Sequence, residues 1–346
     1  MRAQHSPDRG ADFSNLSAFA KITKLDSVSI FVIAGLDPAI HLVSKGMDPR
    51  VKPGGDRTGN AMNTPVPIEG KYDYIIVGAG SAGCVLANRL SADPAKKVLL
   101  LEAGGRDNWI WFHIPVGYLF AIGNPRSDWM FRTEPVPGLN GRSLAYPRGK
   151  VLGGSSAINA MIYMRGQSGD YDHWRQLGLA GWSWDDVKPL FRKQVDHFLG
   201  AGEHHGVGGE WRVEYPRLRW DITDAFRDAA AQAGIPTCDD FNTGDNEGCG
   251  YFHVNQKKGR RWSSARGFLK PALGRANLRV ETGCLVERIA FEGKRATGIR
   301  FRQNGEEKFA RCRGEVILSA GSIGLNFCSA GCATILRATR MESTAT

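Results

Sequence analysis

Gly78-Ala-Gly80-Ser-Ala-Gly83 is the stretch that decides the fold of this chain, because of the segments on either side of it. Tyr72 to Val77, just before it, is a β-branched and aromatic run of strand length. Ser81 to Leu90 carries apolar residues at helical spacing, and Val98 to Leu101 is a short apolar run typical of buried parallel strands. Together these segments predict a βαβ unit whose first turn is rich in glycine.

The glycine turn has the spacing that binds a dinucleotide pyrophosphate. Gly78 would make the tight turn, Gly80 would let the main chain approach the ligand, and Gly83 would let the helix pack closely on the strand. The helix begins at Ser81, and its amides favour an anion there. Glu102 ends the second strand, where its carboxylate can accept both hydroxyl hydrogens of an adenosine ribose. A glycine-rich turn without a ligand is the structural alternative.

A second glycine-serine loop favours a flavin over a nicotinamide dinucleotide. It runs from Arg148 to Gly166 and contains Gly153-Gly154-Ser155-Ser156. A nicotinamide dehydrogenase has no use for such a loop, whereas a flavin needs main-chain donors beside its pyrophosphate and its ring. Contact with phosphate explains the two serines better than a nucleophilic role, because they are not in a G-x-S-x-G elbow. The sequence therefore predicts FAD.

The second loop resembles the first signature of the glucose-methanol-choline (GMC) oxidoreductase family. This resemblance runs from Tyr72 to about Gly324 and is strongest to the branch of choline dehydrogenases and alcohol dehydrogenases. It implies that the flavin is held without a covalent link, because Ile158 stands where some members carry a flavin-linked histidine. It also implies a set of residues that contact FAD in addition to the glycine turn and Glu102: Val151, Gly154, Ser155, Asn159, Ala160, Met161, Ile162 and Val286.

The same resemblance implies a fold and an activity. The expected fold is α/β, an FAD-binding Rossmann-like domain with an incomplete α+β substrate domain. The expected activity is oxidation of the CH-OH group of a primary alcohol or choline-like donor, with hydride transfer to flavin N5. Neither the alcohol nor the electron acceptor follows from the sequence.

The family pattern stops near the C-terminal end. Glu315 to Gly324 matches the start of the second family signature, but Leu325 to Thr346 does not continue it. We interpret residues 325–346 as an out-of-frame tail that follows a frameshift. The histidine pair that removes the alcohol proton in the family would lie beyond this chain. We therefore assign no catalytic residue and predict a truncated form with little or no turnover, whose uncovered apolar face favours aggregation.

The predicted organisation has three parts. Residues 1–61 lack helical or strand periodicity and are expected to be a disordered leader that precedes a true start near Met62. Residues 62–324 form the family region, with FAD-binding segments at 71–166 and 278–324 and a substrate or cap segment at about 167–277. The tail covers 325–346. Within the cap segment, helices are expected over Asp170 to Phe198 and Ile222 to Ala233.

Composition restricts the function further. The net charge of +10 is spread along the chain, so nucleic acid is not an expected partner. No apolar stretch reaches the length of a membrane span. The seven cysteines show no zinc-type spacing, and reduced thiols in a cytoplasmic protein without a metal are expected. The cysteines are Cys84, Cys238, Cys249, Cys284, Cys312, Cys328 and Cys332.

Several other residues could be mistaken for a functional site. His204-His205 is expected to lie solvated in a mobile glycine-flanked loop, and Asp239-Asp240 in a surface turn. Trp174, Trp182 and Trp184 are expected to anchor a core. Two other functions stay open: a non-catalytic flavin-binding or interaction protein, and, less favoured, a nicotinamide-dependent dehydrogenase.

Overall fold

The structure is a computed structural model that describes residues 28–30 and 68–328. Its strands are β1 (Val28–Ile30), β2 (Ile68–Val77), β3 (Val98–Glu102), β4 (Val195–His197), β5 (Trp211–Val213), β6 (Gln256–Lys257), β7 (Arg260–Arg261), β8 (Leu278–Thr282), β9 (Cys284–Glu292), β10 (Arg295–Gln303) and β11 (Glu306–Leu318). Its α-helices are α1 (Ser81–Leu90), α2 (Tyr118–Ala121), α3 (Ser168–Gln176), α4 (Trp184–Gln194), α5 (Asp221–Gln232), α6 (Lys270–Ala272) and α7 (Gly321–Cys328). Short 3-10 turns lie at Ile110–Phe112, Pro115–Gly117, Pro137–Leu139 and Gly154–Ala157, and a π-helical turn lies at Ala265–Leu269.

The central sheet has seven strands in the order β8-β3-β2-β11-β10-β9, with β1 also paired to β11. Strands β8, β3, β2 and the end of β11 run parallel. Strands β9 and β10 pair antiparallel with each other and with the first half of β11. The long strand β11 therefore joins a parallel sheet to an antiparallel meander. Its register shifts between Cys312 and Glu315, near Gly314, whose absent Cβ would lie 2.4 Å from the Asp73 carbonyl oxygen.

Both faces of the parallel strands are buried, which explains their nearly continuous apolar sequence. Ile75 and Leu101 face one core cluster, which the meander completes with Ile299 and Phe301. Ile76 and Leu100 face the opposite cluster, which contains residues of α1 and the turn at Ala265–Leu269. Alternate side chains thus serve two cores, and the carboxyl ends of β2 and β3 are fixed side by side.

The cap segment adds a smaller core between α3 and α4. Tyr171, Trp184 and Val187 are buried there, with Trp174 and Trp182 packed against them. The expectation that these tryptophans anchor a core is confirmed. The cap is tied to the sheet region by Arg89 of α1, whose Nη2 donates to Glu210 Oε2 at 2.9 Å.

Most of the expected elements are present, and one expected helical segment differs. The strand, helix and strand of the βαβ unit lie where the sequence predicts them, which confirms the α/β class. Val195–His197, expected to be helical, is a strand because it pairs with Trp211–Val213. Strands β8 and β9 are separated at Gly283, where the chain passes from the parallel strands to the antiparallel meander.

The expected leader and tail fall mainly outside the described residues. Val28–Ile30 departs from the expectation of disorder, since it pairs in parallel with Val316–Leu318 of β11. The rest of residues 1–61 and residues 329–346 lie outside the described part of the chain.

Candidate functional site

The first glycine turn has the geometry that its spacing predicts. Gly78 has φ +95°, a conformation that other residues adopt with strain. A Cβ on Gly83 would lie 1.9 Å from the Gly78 carbonyl oxygen, so only glycine allows α1 to approach β2 this closely. A Cβ on Gly80 would meet no atom within 4 Å. Open space therefore remains where a ligand would approach.

The N-terminus of α1 lacks a side-chain cap. Its N-cap residue is Gly80, and no side chain accepts a hydrogen bond there. The first amides of a helix have no partner within the helix, so they favour an anion at this end. Ser81 is exposed at the same point. Ser319, at the end of β11, supports the turn from behind by donating from Oγ to the Gly78 carbonyl at 2.8 Å.

Glu102 lies beside this turn with its carboxyl group buried. Its Oε2 accepts from the Ala79 amide and its Oε1 from the Gly104 amide, each at 2.8 Å. Burial raises the pKa of Glu102 to about 7, although these two amide hydrogen bonds act to lower it. Each oxygen keeps a lone pair, so the carboxylate retains the capacity to accept hydroxyl hydrogens.

The second glycine loop lies directly against the first. The Gly153 amide donates to the Ala79 carbonyl at 2.8 Å. A Cβ on Gly154 would lie 2.7 Å from the Gly80 Cα, so the two main chains are in contact. Val151 is buried and pairs with Gly105, just beyond Glu102. The structure thus brings together two loops that are about 70 residues apart in sequence.

The serines of the second loop differ in exposure. Ser155 is exposed, and its Oγ accepts from the Gly149 amide at 3.1 Å. Ser156 is buried, and its Oγ lies 2.8 Å from the Ser264 Oγ. Ser155 is therefore free to face a ligand, whereas Ser156 joins the loop to the turn at Ala265–Leu269.

The segment Asn159 to Ile162 forms an exposed turn. Asn159, Ala160 and Ile162 are exposed, and Met161 has φ +64° with a buried side chain. The Asn159 Oδ1 accepts from the Met161 amide at 3.0 Å, which holds the turn. Met161 is 4% exposed and its carbonyl accepts from the Asn255 amide at 2.8 Å, so its expected contact with FAD stays a prediction. Ile158, expected to leave a flavin unlinked, is buried.

Val286 lies on β9, three residues after Gly283. The Gly283 amide donates to the Gly104 carbonyl at 2.9 Å, which places the start of β9 beside Glu102. Val286 is partly buried against the core cluster of the meander. Its position fits the adenosine side of the expected ligand and stays a prediction.

Arg261 is a charged residue at this site that no sequence pattern had selected. It is fully buried on β7, and its Nη1 donates to Asn159 Oδ1 at 2.9 Å and to the Ser156 carbonyl at 3.3 Å. Its Nε and Nη2 have no hydrogen-bond partner among the described residues. Arg260 and Arg261 are adjacent and have the same chemistry, so the sequence alone does not reveal which one is buried.

The expectation for His204-His205 is wrong for His205. Its side chain is buried and stacks on His197 with ring centroids 3.6 Å apart. Its Nε2 lies 2.5 Å from Asp240 Oδ2. Asp240 is half-buried, whereas Asp239 is exposed as expected for a surface turn. His253 completes the cluster, with Nδ1 3.7 Å from Asp240 Oδ1. Long-range packing of the cap creates this cluster, and local glycines could not indicate it.

Two other features of the described residues bear on function. No three of their His, Cys, Asp or Glu side chains are grouped so that they could hold a metal ion. None of their helices has the length and apolar character needed to cross a bilayer.

Comparison with known proteins matches most of the described chain to one family. The profile of the family described as GMC oxidoreductase matches residues 72–325. The human protein "Choline dehydrogenase, mitochondrial" is 44% identical over 261 residues, which cover 73% of this chain and 44% of that protein. "Alcohol dehydrogenase [acceptor]" of Pseudomonas putida is 44% identical over 255 residues, covering 73% of this chain and 46% of that protein.

A solved structure shows the same likeness in three dimensions. "FAD-dependent oxidoreductase from Chaetomium thermophilum" is 29% identical, with a TM-score of 0.69, and the match covers 75% of this chain and 47% of that one. The chain thus spans less than half the length of these relatives.

Proposed function

Because the chain belongs to the GMC oxidoreductase family, we propose that it binds FAD without a covalent link between its two glycine loops. In the whole protein, the bound FAD would serve to oxidise the CH-OH group of a primary alcohol or a choline-like donor. The observation that carries this proposal is the contact of Gly154 with Gly80, because it makes two glycine loops face one space. A nicotinamide dinucleotide would leave the second loop without a role.

The pyrophosphate of FAD would lie at the N-terminus of α1. The uncapped amides there and the open space at Gly80 suit a dianionic group. The main chain of Gly154 and the exposed Ser155 would close the opposite side. Neutral amide donors held by two rigid loops bind phosphate with little reorganisation.

The adenosine end would lie at the carboxyl end of β3. The ionised Glu102 carboxylate would accept hydrogen bonds from both ribose hydroxyls, and a 2'-phosphate would be repelled by its charge. Val286, at the start of the meander, would contact the adenine. The family resemblance suggests this role, and the hydrogen bond between Gly283 and Gly104 supports it.

The flavin ring would lie along the exposed turn from Asn159 to Ile162. When bound, FAD supplies the acceptor for the hydride that leaves the alcohol carbon. The residues of this chain contribute the binding surface: Asn159 is fixed by two hydrogen bonds, and Ala160 and Ile162 are exposed beside it. Ile158 offers no nucleophile for a flavin link.

The choice of substrate is supported by the names of two relatives, a choline dehydrogenase and an alcohol dehydrogenase. No catalytic residue of this chain is proposed. The prediction of little or no turnover and that of a cytoplasmic location stay predictions, and the electron acceptor stays open.

Spectroscopy of the purified full chain tests the proposal. After incubation with FAD and desalting, we expect the protein to retain a flavin absorption band at about 450 nm, and denaturation should release the flavin. Gly154→Val is the control variant, since its side chain would enter the contact with Gly80 and should abolish retention. A chain that retains NAD and no flavin would contradict the proposal.

The same sample separates catalytic from non-catalytic flavin binding. Anaerobic addition of choline or of a primary alcohol would bleach the band if the chain turns over substrate. A retained band that no alcohol bleaches would favour the flavin-binding protein without turnover.

A further inference from the structure

Arg261 is buried without a counter-charge among the residues that the structure describes. The side chain is 0% exposed, and burial lowers the pKa of its guanidinium to about 10, with no acidic neighbour in this part of the chain that raises it. Even so, the group stays protonated at neutral pH. A buried charge without a partner costs considerable free energy, so such groups are usually paired.

The unpaired part of Arg261 is the edge formed by Nε and Nη2. These two nitrogens present parallel N–H bonds, the arrangement with which arginine binds carboxylates and phosphates. Both atoms are enclosed and have no acceptor among the described residues. Nη1 alone is engaged, by Asn159 and Ser156.

The position of Arg261 connects this charge to the second glycine loop. Asn159 Oδ1 accepts from Arg261 Nη1 and from the Met161 amide, at 2.9 and 3.0 Å. The Arg261 amide also donates to the His113 carbonyl at 3.0 Å, which fixes its main chain. The side chain is thus held from behind the turn that lies at the flavin-ring end of the proposed site.

We propose that Arg261 is a positioning residue for bound FAD, which orients Asn159 at the ring end of the site and whose positive charge the anionic cofactor compensates. This inference rests on the proposed function. Because the guanidinium is enclosed, its charge acts through the low-dielectric interior and through Asn159, without direct contact with solvent. The cost of the buried cation in the free protein would then be recovered when the cofactor binds.

The inference predicts opposite effects on stability and on binding. In Arg261→Met, an apolar side chain of similar length replaces the unpaired charge, so the melting temperature of the free chain should stay unchanged or rise. The affinity for FAD should fall by about tenfold or more, as expected for a lost charge-assisted interaction. Arg261→Lys keeps the positive charge and loses the pair of parallel N–H donors, so it should bind FAD more tightly than Arg261→Met and less tightly than wild type.

Arg260→Met is the matched control. Arg260 is adjacent in sequence and exposed, so its removal changes the net charge equally without touching Asn159. We would measure thermal unfolding of the full chain and of each variant, alone and titrated with FAD or with ADP. These measurements give the melting temperature of each free protein and its affinity for each ligand. ADP carries the pyrophosphate charge but lacks the flavin ring beside Asn159, so Arg261→Met should weaken the binding of ADP less than that of FAD.

The outcomes are distinguishable. If wild type shows no stabilisation by FAD, the proposed function itself fails. If wild type binds FAD while Arg261→Met melts lower and binds FAD equally well, Arg261 is only a structural clamp and the inference is overturned. An equal loss of affinity for ADP would overturn its placement at the ring end. If Arg261→Met does not fold, Arg261→Gln replaces it in these measurements. Equal affinities of Arg261→Lys and Arg261→Gln for FAD would overturn the proposed role of the positive charge.

Discussion

Glu102 is the residue at which pH and ligand binding should be coupled. The raised pKa of about 7 means that the free protein holds a proton on this carboxyl more tightly than the unfolded chain does, whose reference value is 4.5. Its contribution to the stability of the free protein is therefore complete below pH 4.5 and is lost as the pH rises through about 7. The ionised form, however, is the better acceptor of two ribose hydroxyls.

We therefore predict that FAD binds more tightly as the pH rises from 6 to 8, with a midpoint near 7. Fluorescence titration of FAD at several pH values measures this dependence. In Glu102→Gln the dependence should disappear and the affinity should be low throughout, because the amide has a single acceptor oxygen and its NH2 group donates. A wild-type affinity that does not change across this range would show that Glu102 does not contact the ribose.

His197 should make the cap segment sensitive to acid. Its ring is buried against His205. Burial lowers the pKa of His197 to about 3, and the positive charges of His205, His253 and Arg165 act in the same direction. The carboxylate of Asp240 acts to raise this pKa. Because this pKa is lowered, the contribution of His197 to the free energy of unfolding is complete above pH 6.5, the reference pKa of the unfolded chain. The contribution is lost as the pH falls toward 3.

We predict that the free energy of unfolding, measured by urea titration, falls between pH 7 and pH 5 by up to about 1.4 kcal/mol per pH unit from this group. His197→Phe keeps an aromatic ring for stacking and removes the titration, so the slope should decrease. His173→Phe on the exposed side of α3 is the control and should keep the wild-type slope. Equal slopes in all three proteins would contradict the prediction.

At the scale of the element, substitutions at two glycines of the turn between β2 and α1 should have different effects on stability and on FAD binding. Gly83→Ala would place a Cβ 1.9 Å from the Gly78 carbonyl oxygen, which forces the helix away from the strand. We expect a loss of stability of about 2 kcal/mol or more. Gly80→Ala meets no atom, so it should unfold like wild type and yet bind FAD weakly. Urea unfolding and FAD titration of both variants check this contrast, and a Gly80→Ala protein with normal FAD affinity would contradict it.

The same element shows why some of the fold could be predicted from the sequence. The strand, turn and helix from Tyr72 to Leu90 are specified by local spacing, and the structure places α1 at the predicted residues. The contact of Gly154 with Gly80 could be expected only from the family resemblance, because no local pattern encodes it.

Features created by distant packing were missed for a physical reason. Val195–His197 becomes a strand only because Trp211–Val213 lies beside it. His205 is buried only because His197 and Asp240 are brought to it. Arg261 and Arg260 have the same chemistry, and tertiary structure alone decides which of them is buried.

At the scale of the whole molecule, the described residues expose several large apolar side chains on α5 and just before it. Ile222 and Phe226, one helical turn apart, are 72% and 70% exposed, and Leu218 and Trp220 just before them are 69% and 60% exposed. Exposed apolar side chains on neighbouring positions favour association, because contact with another apolar surface removes them from water. The net charge of +10 opposes this association through repulsion between chains.

We predict that the apolar surface outweighs the charge and that the full chain self-associates as its concentration rises. The double variant Ile222→Lys with Phe226→Lys should sediment as a smaller species and bind less of an apolar dye. Asp228→Lys, on the same helix, adds the same two positive charges without removing apolar surface, so it should associate as wild type does. Sedimentation velocity over a concentration series at fixed salt distinguishes the two variants. If Asp228→Lys dissociates the protein as fully as the double variant, repulsion between charges is the controlling factor and the apolar face of α5 is not.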